Sequence, residues 1–284
     1  MSNPLVTIGI PTYNVGRFVA LSIKSVLAQT YTNFELIITD DGSTDNTVDE
    51  IHKFKDPRIK LIVDGENHGI SYRLNQQIDM ARGEIFVRMD GDDLMFPTRV
   101  AEQVRFLQEN PDVDVVGTDI VVIGDNNEIL GCRFNNTQVH NKKSLYKNTF
   151  FAHPTVAGRL DFFKKYHYKE FFNGAEDHNL WIRGYSGNNF AIISKPLMFY
   201  RDPLVFKLKT YLSRMRILRK MYRSLIKTDS ANASYLRKLI LGSYIRTILS
   251  FTLSKLRLDF IMISKRNAPV LSDNYKDILN AIIG

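Results

Sequence analysis

The sequence predicts an α/β fold with a mostly parallel central sheet that is covered by helices on both faces. Over residues 1–110, short apolar runs alternate with segments of helical periodicity, which is typical of parallel strands joined by crossover helices. Polar clusters directly follow these apolar runs, at the strand ends where open α/β sheets bind ligands. The 284 residues are enough for one such domain and an appendage.

The first 110 residues contain four predicted strands and four predicted helices with apolar side chains on one face. The predicted strands are Val6–Ile10, Glu35–Thr39, Ile59–Val63 and Ile85–Met89. The predicted helices are Arg17–Gln29, a short segment with Val48, Ile51 and Phe54, Ile70–Ala81, and a segment from Pro97 to about Glu109. Pro97 favours the first turn of the last helix, because a backbone N–H would have no partner there.

Beyond residue 110 the regular alternation ends. Val113–Ile123 has the composition of a strand, and Gly124–Asn127 is typical of a hairpin turn. Shorter elements are expected from there to about Arg201. From Phe206 the composition is helical and basic, and no proline occurs until Pro269. We therefore expect a C-terminal helical extension of the α/β domain.

The net charge of +8 is unevenly distributed along the chain. Residues 1–203 carry a net charge of −4, and residues 204–284 carry +12. Within 206–266, basic and apolar side chains alternate as in basic amphipathic helices on an anionic membrane surface. One alternative is that these helices pack on the α/β domain with a solvated basic face. The same charge would suit nucleic acid, but no nucleic-acid motif accompanies it, so no such partner is expected.

The cellular location is predicted from segments that the sequence lacks. Cys132 is the single cysteine, which rules out an intramolecular disulfide, fits a reducing compartment and is expected to be inert. No signal peptide and no ordinary transmembrane helix are expected, because the sequence has neither a basic N-terminal region with an apolar run nor about 18 consecutive apolar residues. We expect a cytoplasmic protein at the inner face of the cell membrane.

An acidic cluster, Asp90-Gly91-Asp92-Asp93, directly follows the apolar run that ends at Met89. Carboxylates at one strand end repel each other, and their oxygen atoms are the ligands that Mg²⁺ and Mn²⁺ prefer. Asp90 and Asp92 are two residues apart on an extended backbone and are the candidate ligands. Asp93 is expected to orient the loop. The alternative is an ordinary solvated acidic loop.

Two further polar clusters follow the first two predicted strands: Pro11-Thr12-Tyr13-Asn14 and Asp40-Asp41-Gly42-Ser43. Neither a dinucleotide-binding glycine fingerprint nor a phosphate-binding loop occurs. A nucleotide would therefore be held by other means, with Tyr13 packing on the base and Asp41 accepting the imide N–H of uracil or thymine. The alternatives are helix capping by the two aspartates and simple turn packing by Tyr13.

The order of these motifs resembles that of a family-2 glycosyltransferase. The matching segments are Val6–Asn14, Ser25–Tyr31, Asp40–Asp45, Asn67-His68-Gly69, Asn75, Ala81–Glu84 and Arg88–Asp93. The likeness is dense over residues 4–110, continues at His153-Pro154-Thr155 and Gly174-Ala175-Glu176-Asp177, and stops near Arg201. Each motif alone is a weak signal, and the set in order is a strong one.

The resemblance implies a GT-A fold, a nucleotide-sugar donor, a divalent metal at the D-x-D motif and inversion at the sugar carbon. By position, Asp41 would bind a uracil-type base, and Asp92 would bind Mg²⁺ or Mn²⁺ with help from Asp90. Glu176 and Asp177 match the E-D motif, in which Asp177 would be the general base. On the residues alone, this pair would equally open a helix over His178–Gly184.

The remaining candidate residues are assigned to the donor or to the acceptor. The predicted donor-binding residues are Pro11, Thr12, Tyr13, Asn14, Asp41, Asn67, Gly69, Arg73, Arg88, Asp90 and Gly91. Arg73 and Arg88 are candidate diphosphate contacts, because guanidinium groups suit phosphate oxygens, although Arg73 would equally be a solvated helix residue. His153 and Trp181 are the candidates on the acceptor side. A core position is the alternative for both and is preferred for Trp181.

These expectations combine into one predicted organisation. Residues 1–205 would form the catalytic domain, with a nucleotide-binding half (1–110) and an acceptor half (111–205), and residues 206–284 the basic extension. The expected activity is transfer of a hexose from a nucleotide-sugar to a hydroxyl of a lipid-linked or growing surface glycan. A UDP-sugar is the preferred donor, and a dTDP-sugar is the second choice. The alternatives are a sugar-nucleotide pyrophosphorylase, which would need a glycine-rich basic first loop, and a non-catalytic nucleotide- or glycan-binding relative.

Overall fold

The computed structural model describes residues 3–135, 142–202, 204–263, 267–270, 272 and 274–284. Its strands are β1 (Val6–Thr12), β2 (Phe34–Asp40), β3 (Ile59–Val63), β4 (Ile85–Arg88), β5 (Leu94–Met95), β6 (Val113–Ile123), β7 (Ile129–Arg133), β8 (Ala157–Arg159) and β9 (Asn189–Arg201). Its helices are α1 (Val19–Leu27), α2 (Thr47–His52), α3 (Ile70–Met80), α4 (Arg99–Glu109), α5 (Lys142–Lys147), α6 (Leu160–Lys165), α7 (Glu176–Gly184), α8 (Leu208–Thr228), α9 (Ala233–Lys255) and α10 (Asn274–Ile283).

The nine strands form one sheet in the order β3-β2-β1-β4-β8-β6-β9-β5, with β7 beside β6. Strands β3, β2, β1 and β4 are parallel, so their carboxyl ends lie at one edge of the sheet. Strand β8 is antiparallel to both β4 and β6, and β6 is parallel to β9. The predicted α/β fold is confirmed, with a parallel first half and a mixed second half.

Most predicted elements lie within about two residues of their observed bounds, and β3 and β6 coincide with the prediction. The turn at Gly124–Asn127 joins β6 to β7, and Asn127 has a φ of 64°. Three strands, β5, β8 and β9, were not predicted, and β7 was implied only by the hairpin turn. Strand β5 has only two residues, and β9 includes Pro196 and pairs with β6 through several register shifts, which interrupt the alternation that marks a strand.

The described residues form three apolar clusters, and the two largest differ in composition and lie on opposite faces of β4. The first is aliphatic and packs α1 and α4 against the parallel strands, with Ile8 and Ile23 completely buried. The second is aromatic and combines Trp181 with Phe residues from β4, α6 and the segment before β8. This second core also includes side chains from the C-terminal extension: Met221, Tyr222 and Leu236.

The C-terminal helices are therefore packed on the α/β domain. The Tyr222 hydroxyl donates to the Tyr146 carbonyl at 2.6 Å, and Asp229 accepts hydrogen bonds from the Tyr146 hydroxyl and, at 3.0 Å, the Lys142 ammonium. Helices α8 and α9 run antiparallel, because Arg219 bonds Thr247 while the later Arg223 bonds the earlier Tyr244. Helix α10 returns to the first half through Leu279 and Ile282, which contact the residues around β5.

The two long helices of the extension differ in their outer surfaces. Helix α8 shows the predicted amphipathic pattern, with Met221 and Tyr222 buried and its basic residues largely outside. Helix α9 instead carries apolar side chains on both sides. Its exposed apolar residues are Leu241, Tyr244, Ile245, Ile248, Leu249 and Phe251. In the part of the chain that the structure describes, no helix is long and apolar enough to span a bilayer. Residues 264–266, the end of the predicted membrane segment, lie outside the described residues.

Candidate active site

The loops after β1 and β2 hold each other in place at the edge of the sheet. The Asp40 carboxylate accepts hydrogen bonds from the Thr12 hydroxyl and from the backbone N–H and hydroxyl of Ser43, at 2.6–3.0 Å. Asn14, which has a φ of 51°, accepts the Thr44 N–H at 2.8 Å. Tyr13 projects from this framework with 51% of its surface exposed. Asp40 is thus a loop-ordering residue, and the Tyr13 ring is accessible to a planar ligand.

The Asp41 carboxylate is fixed by the loop that precedes α3. It accepts the backbone N–H groups of His68 at 2.8 Å and Gly69 at 3.0 Å, and Nε of Arg73 at 3.0 Å. The Asn67 amide donates to the Asp41 carbonyl at 3.0 Å. A carboxylate offers about four lone-pair sites, so Asp41 is rigid and still has capacity for one donor. The structure thus brings Asp41, Asn67 and Gly69 together.

Arg73 is completely buried, and protein groups occupy its guanidinium. Besides Asp41, its partners are the Asp64 carboxylate at 2.6 and 2.7 Å, the Gln76 side chain and the Glu66 carbonyl. These bonds correct the prediction that Arg73 contacts a diphosphate, and Arg73 is not the solvated helix residue of the alternative. Its place in the donor site is indirect, because it positions Asp41. A buried arginine is stable here only because two carboxylates compensate its charge.

The acidic loop after β4 is fixed from two sides. The Ser22 hydroxyl of α1 bonds the carbonyls of Gly91 at 2.9 Å and Asp93 at 2.7 Å. At the end of β9, Arg201 donates its backbone N–H to the Asp93 carboxylate and its Nε to the Asp92 carbonyl, both at 2.8 Å. Neither contact was predicted, since Arg201 is 109 residues from Asp92 in the sequence.

One carboxylate oxygen each from Asp90, Asp92 and Asp93 lie within 4.8 Å of one another. Burial and the neighbouring Asp90 carboxylate raise the pKa of Asp92 to about 6. Burial and the Asp92 carboxylate raise the pKa of Asp93 well above its usual range. Crowded carboxylates with hard oxygen donors fit Mg²⁺ or Mn²⁺, which would relieve their repulsion. Asp90 and Asp92 are partly exposed and fit this role, whereas Asp93 is completely buried and one of its oxygens accepts the Arg201 N–H.

Arg88 lies beside this loop, and part of its guanidinium is unpaired. Its Nη2 bonds the Asp90 carboxylate at 2.5 Å, while its buried Nε and Nη1 have no hydrogen-bond partner among the described residues. Arg99, which the sequence reasoning missed, donates to the carbonyls of Arg88 at 2.8 Å and Pro154 at 2.9 Å, and burial lowers the pKa of Arg99 to about 9. Unpaired buried donors fit an oxyanion such as a phosphate.

A cavity of about 460 Å³ joins the two predicted sides of the site and is called the catalytic cavity below. Its wall includes Arg88 and Asp90, together with Glu176 and Asp177 at the start of α7. Glu176 accepts the Gly174 N–H at 2.5 Å, and burial together with Asp177 raises the pKa of Glu176. No described residue hydrogen-bonds the partly exposed Asp177 carboxylate. The pair does open α7, as the structural alternative predicted, and it also faces the cavity.

The two acceptor-side candidates have different surroundings. His153 lines the catalytic cavity, bonds the Tyr168 hydroxyl at 2.9 Å, and is held neutral because burial lowers its pKa well below its usual range. Trp181 is completely buried against Phe151, Phe162 and other rings of the second core. The assignment of Trp181 to the acceptor side is therefore corrected to a core position, the preferred alternative.

An α/β sheet whose acidic, metal-type loop contributes to one cavity together with a further pair of carboxylates is the architecture of a glycosyltransferase. The chain belongs to Glycosyl transferase family 2, whose domain matches residues 7–167. The predicted family, fold and enzyme class are thereby confirmed. This result also decides against the pyrophosphorylase and non-catalytic alternatives.

Two curated relatives come from bacteria. The putative glycosyltransferase EpsE of Bacillus subtilis is 36% identical over 198 residues, which cover 66% of this chain and 70% of EpsE. The UDP-Glc:alpha-D-GlcNAc-diphosphoundecaprenol beta-1,3-glucosyltransferase WfgD of Escherichia coli is 30% identical over 194 residues, which cover 68% of this chain and 75% of WfgD.

A solved structure resembles the chain over its whole length. The mannosyltransferase PcManGT of Pyrobaculum calidifontis, in complex with GDP-Man and Mn²⁺, matches with a TM-score of 0.62 over 100% of this chain and 86% of PcManGT. The sequence identity is 16%, so this likeness shows the fold alone. It includes the C-terminal helices, which are therefore part of a shared architecture.

Proposed function

We propose that the protein is a metal-dependent, inverting glycosyltransferase that moves a hexose from a UDP-sugar to a hydroxyl of a lipid-linked or growing surface glycan. One observation carries the proposal: Arg88 and Asp90 share the catalytic cavity with Asp177. A leaving diphosphate and an acceptor hydroxyl would thus be bound within one space. The names of relatives such as WfgD and the O-antigen biosynthesis glycosyltransferase WbnJ support the substrate class.

On the acceptor side, Asp177 would act as the general base. Its carboxylate takes the proton of the acceptor hydroxyl as that oxygen bonds the anomeric carbon of the donor. The bond from this carbon to the diphosphate oxygen breaks, and UDP leaves with the electron pair. Attack from the face opposite the leaving group inverts the configuration. The wall position of Asp177, with no described hydrogen-bond partner, supports this role because a base must reach the proton that it removes.

On the donor side, the unpaired N–H groups of Arg88 would bind the diphosphate oxygens. Asp90 and Asp92 would hold Mg²⁺ or Mn²⁺, which supplies Lewis-acid neutralisation of the leaving group when bound. Asp41 would accept the N3–H of uracil with its remaining lone pair, and Tyr13 would pack on the ring. Thymine offers the same N–H, so dTDP-sugars remain the second choice.

The donor preference is tested by a screen that detects released nucleotide. With Mn²⁺ and a lipid extract as the source of acceptor, we expect at least one UDP-hexose to release UDP. The same hexose on CDP is the matched control and should be inert, since cytosine lacks the N3–H donor. Release from GDP-mannose with no UDP-hexose active would contradict the assignment of the base.

We also propose that the extension binds the inner face of the cell membrane. The outward side of α9 presents Ile245, Ile248 and other apolar residues, more than half exposed, beside exposed basic side chains such as Arg246 and Lys255. An apolar surface with a basic margin suits an anionic bilayer. The inner sides of α8 and α9 pack on the catalytic domain, and the outward side of α9 is left to contact a membrane. Core packing and membrane binding are therefore compatible.

The membrane surface is tested by introducing acidic side chains on the outward side of α9, which leaves the packed side intact. The variant Ile245→Glu/Ile248→Glu should weaken cosedimentation with phosphatidylglycerol vesicles at least about tenfold, because each buried apolar side chain contributes roughly 1.5–3 kcal/mol. Val63→Glu, an exposed apolar position on strand β3, is the control. Equal sedimentation of the double variant and the control would reject this surface.

A further inference from the structure

A second cavity, of about 540 Å³, adjoins the catalytic cavity. The two share three wall residues, which are Arg133, Tyr200 and Arg214. The second cavity extends from them to the start of α8, where Lys207 and Tyr211 line it. Its size lies in the range typical of ligand sites. We call it the α8 cavity, and the sequence reasoning did not anticipate it.

The described wall of the α8 cavity carries more cations than its one described carboxylate can neutralise. Arg133 pairs with Asp202 at 2.7 Å, and Arg201 is committed to the acidic loop, Gly124 and Asn127. Asp202 is the one carboxylate among the described residues of the cavity wall. No described carboxylate forms an ion pair with Lys207 or Arg214. Among the described wall residues, these two exposed cations therefore have no ion-pair partner, as in a site for an anion.

The start of α8 places these cations along the path from the α8 cavity to the proposed base, Asp177. Lys207 directly precedes the helix, and Tyr211 and Arg214, three residues apart, lie on one side of it. Arg214 packs beside Gly174, because a Cβ atom built on Gly174 would lie 3.9 Å from its Cγ. Gly174 in turn donates its N–H to Glu176. Arg214 thus stands where the two cavities meet, next to the Glu176-Asp177 pair.

We propose that the α8 cavity binds a phosphate or diphosphate group of the acceptor. This inference rests on the proposed function and adds the chemical class of the acceptor. In the proposed function the donor diphosphate has its own partners at Arg88 and the acidic loop, which do not line the α8 cavity. An acceptor whose hydroxyl reaches Asp177 would place an anionic group beside Arg214 and Lys207. A guanidinium fork and an ammonium are suited to phosphate oxygens.

The path of the helices suggests where the rest of such an acceptor would go. Because α8 and α9 are antiparallel, the start of α8 lies near the end of α9. Exposed apolar residues, Leu256 and Phe260, occur at that end. A lipid attached to the phosphate group would leave the cavity toward this apolar surface. A phosphate within a soluble glycan would satisfy the same cations, so the experiment must separate these two sources.

The test is binding of small probes by calorimetry, with UDP and Mn²⁺ saturating the donor site. Geranyl diphosphate, inorganic pyrophosphate and geraniol are compared on the wild type, Arg214→Gln, Lys207→Gln and Arg216→Gln. Arg216 is exposed on α8 but does not line either cavity, and it is the matched control. We expect Arg214→Gln and Lys207→Gln each to weaken the binding of geranyl diphosphate about tenfold, as for the loss of one charge-assisted hydrogen bond. Arg216→Gln should leave this binding unchanged.

The probes also separate the sources. Tighter binding of geranyl diphosphate than of pyrophosphate would assign a lipid diphosphate, and equal binding would assign a phosphate within the glycan. The proposal would be overturned if geraniol bound as tightly as geranyl diphosphate. It would also be overturned if neither Arg214→Gln nor Lys207→Gln weakened the binding of geranyl diphosphate. Mn²⁺-dependent UDP binding is measured in the same samples. If the wild type showed no Mn²⁺-dependent UDP binding, the proposed donor would be refuted. The α8 cavity would then be tested by measuring the binding of the same probes in the absence of UDP.

Discussion

Asp177→Asn is expected to lower sugar transfer by roughly 10²–10⁴-fold, the usual contribution of general-base catalysis, with UDP and Mn²⁺ binding unchanged. Asparagine has nearly the same shape as aspartate but cannot accept the proton of the acceptor hydroxyl. Asp177 has no described hydrogen-bond partner, so the substitution breaks no contact that the structure shows. A loss confined to the chemical step is therefore the signature of this residue.

Comparison of Glu176→Gln with Asp177→Asn tests which of the two neighbouring carboxylates acts as the base. Glu176 is buried and bonds the Gly174 N–H, so Glu176→Gln keeps an oxygen acceptor for this bond. We expect Glu176→Gln to retain most of the transfer rate, whereas the exposed Glu170→Gln is the control for unrelated charge loss. Single-turnover rates at saturating donor measure the chemical step. If Glu176→Gln is as inactive as Asp177→Asn, the base is not Asp177 alone.

The parallel half of the fold was predictable because its signals are local. Strands such as β3 show as short apolar runs, and the motif residues follow them directly. Since parallel strands end at one edge, the sequence alone could place Asp41 and Asp92 near each other. Strand β9 was not predictable in this way, because its pairing with β6 shifts register and its central Pro196 interrupts the alternation.

The partners that fix the site were not predictable, because they are distant in sequence. Asp40 and Asp41 are neighbours with the same side chain, yet one orders its own loop and the other is bound by Arg73. Arg201 and Arg99 reach the acidic loop and Arg88 from elements that local patterns cannot connect to them. Residue type gives the chemistry, whereas the tertiary contacts decide which residue has which role.

In the basic extension, too, the tertiary contacts could not be predicted from the sequence. The composition of the extension predicted long helices and a charged surface, both of which the structure contains. It did not predict that Tyr222 would enter the aromatic core or that Arg214 would line the catalytic cavity. Deletion of residues 206–284 would therefore disturb the core and the cavity together. Point substitutions on the outward side of α9 are the sharper test of membrane binding.

Asp92→Asn is expected to abolish the Mn²⁺ dependence of donor binding, with a loss of metal affinity of more than about 100-fold. Residues that only orient a metal ligand already contribute about 10–100-fold, so loss of a ligand should exceed that range. In the wild type, Mn²⁺ should raise the midpoint of thermal unfolding, since a ligand at 100 times its Kd adds about 2.7 kcal/mol to the free energy of unfolding. Thermal unfolding with and without Mn²⁺ measures this response.

Without metal, Asp92→Asn should be more stable than the wild type, although it loses the stabilisation by Mn²⁺. These two opposite effects distinguish loss of a metal ligand from general damage to the fold. Asp90, Asp92 and Asp93 repel one another when no cation is bound, so removal of the Asp92 charge should make the metal-free protein more stable than the wild type. Asp93→Asn is the matched control. Its oxygen can still accept the Arg201 N–H, and we expect it to keep the Mn²⁺ response. A response lost in Asp93→Asn but retained in Asp92→Asn would move the metal ligand from Asp92 to Asp93.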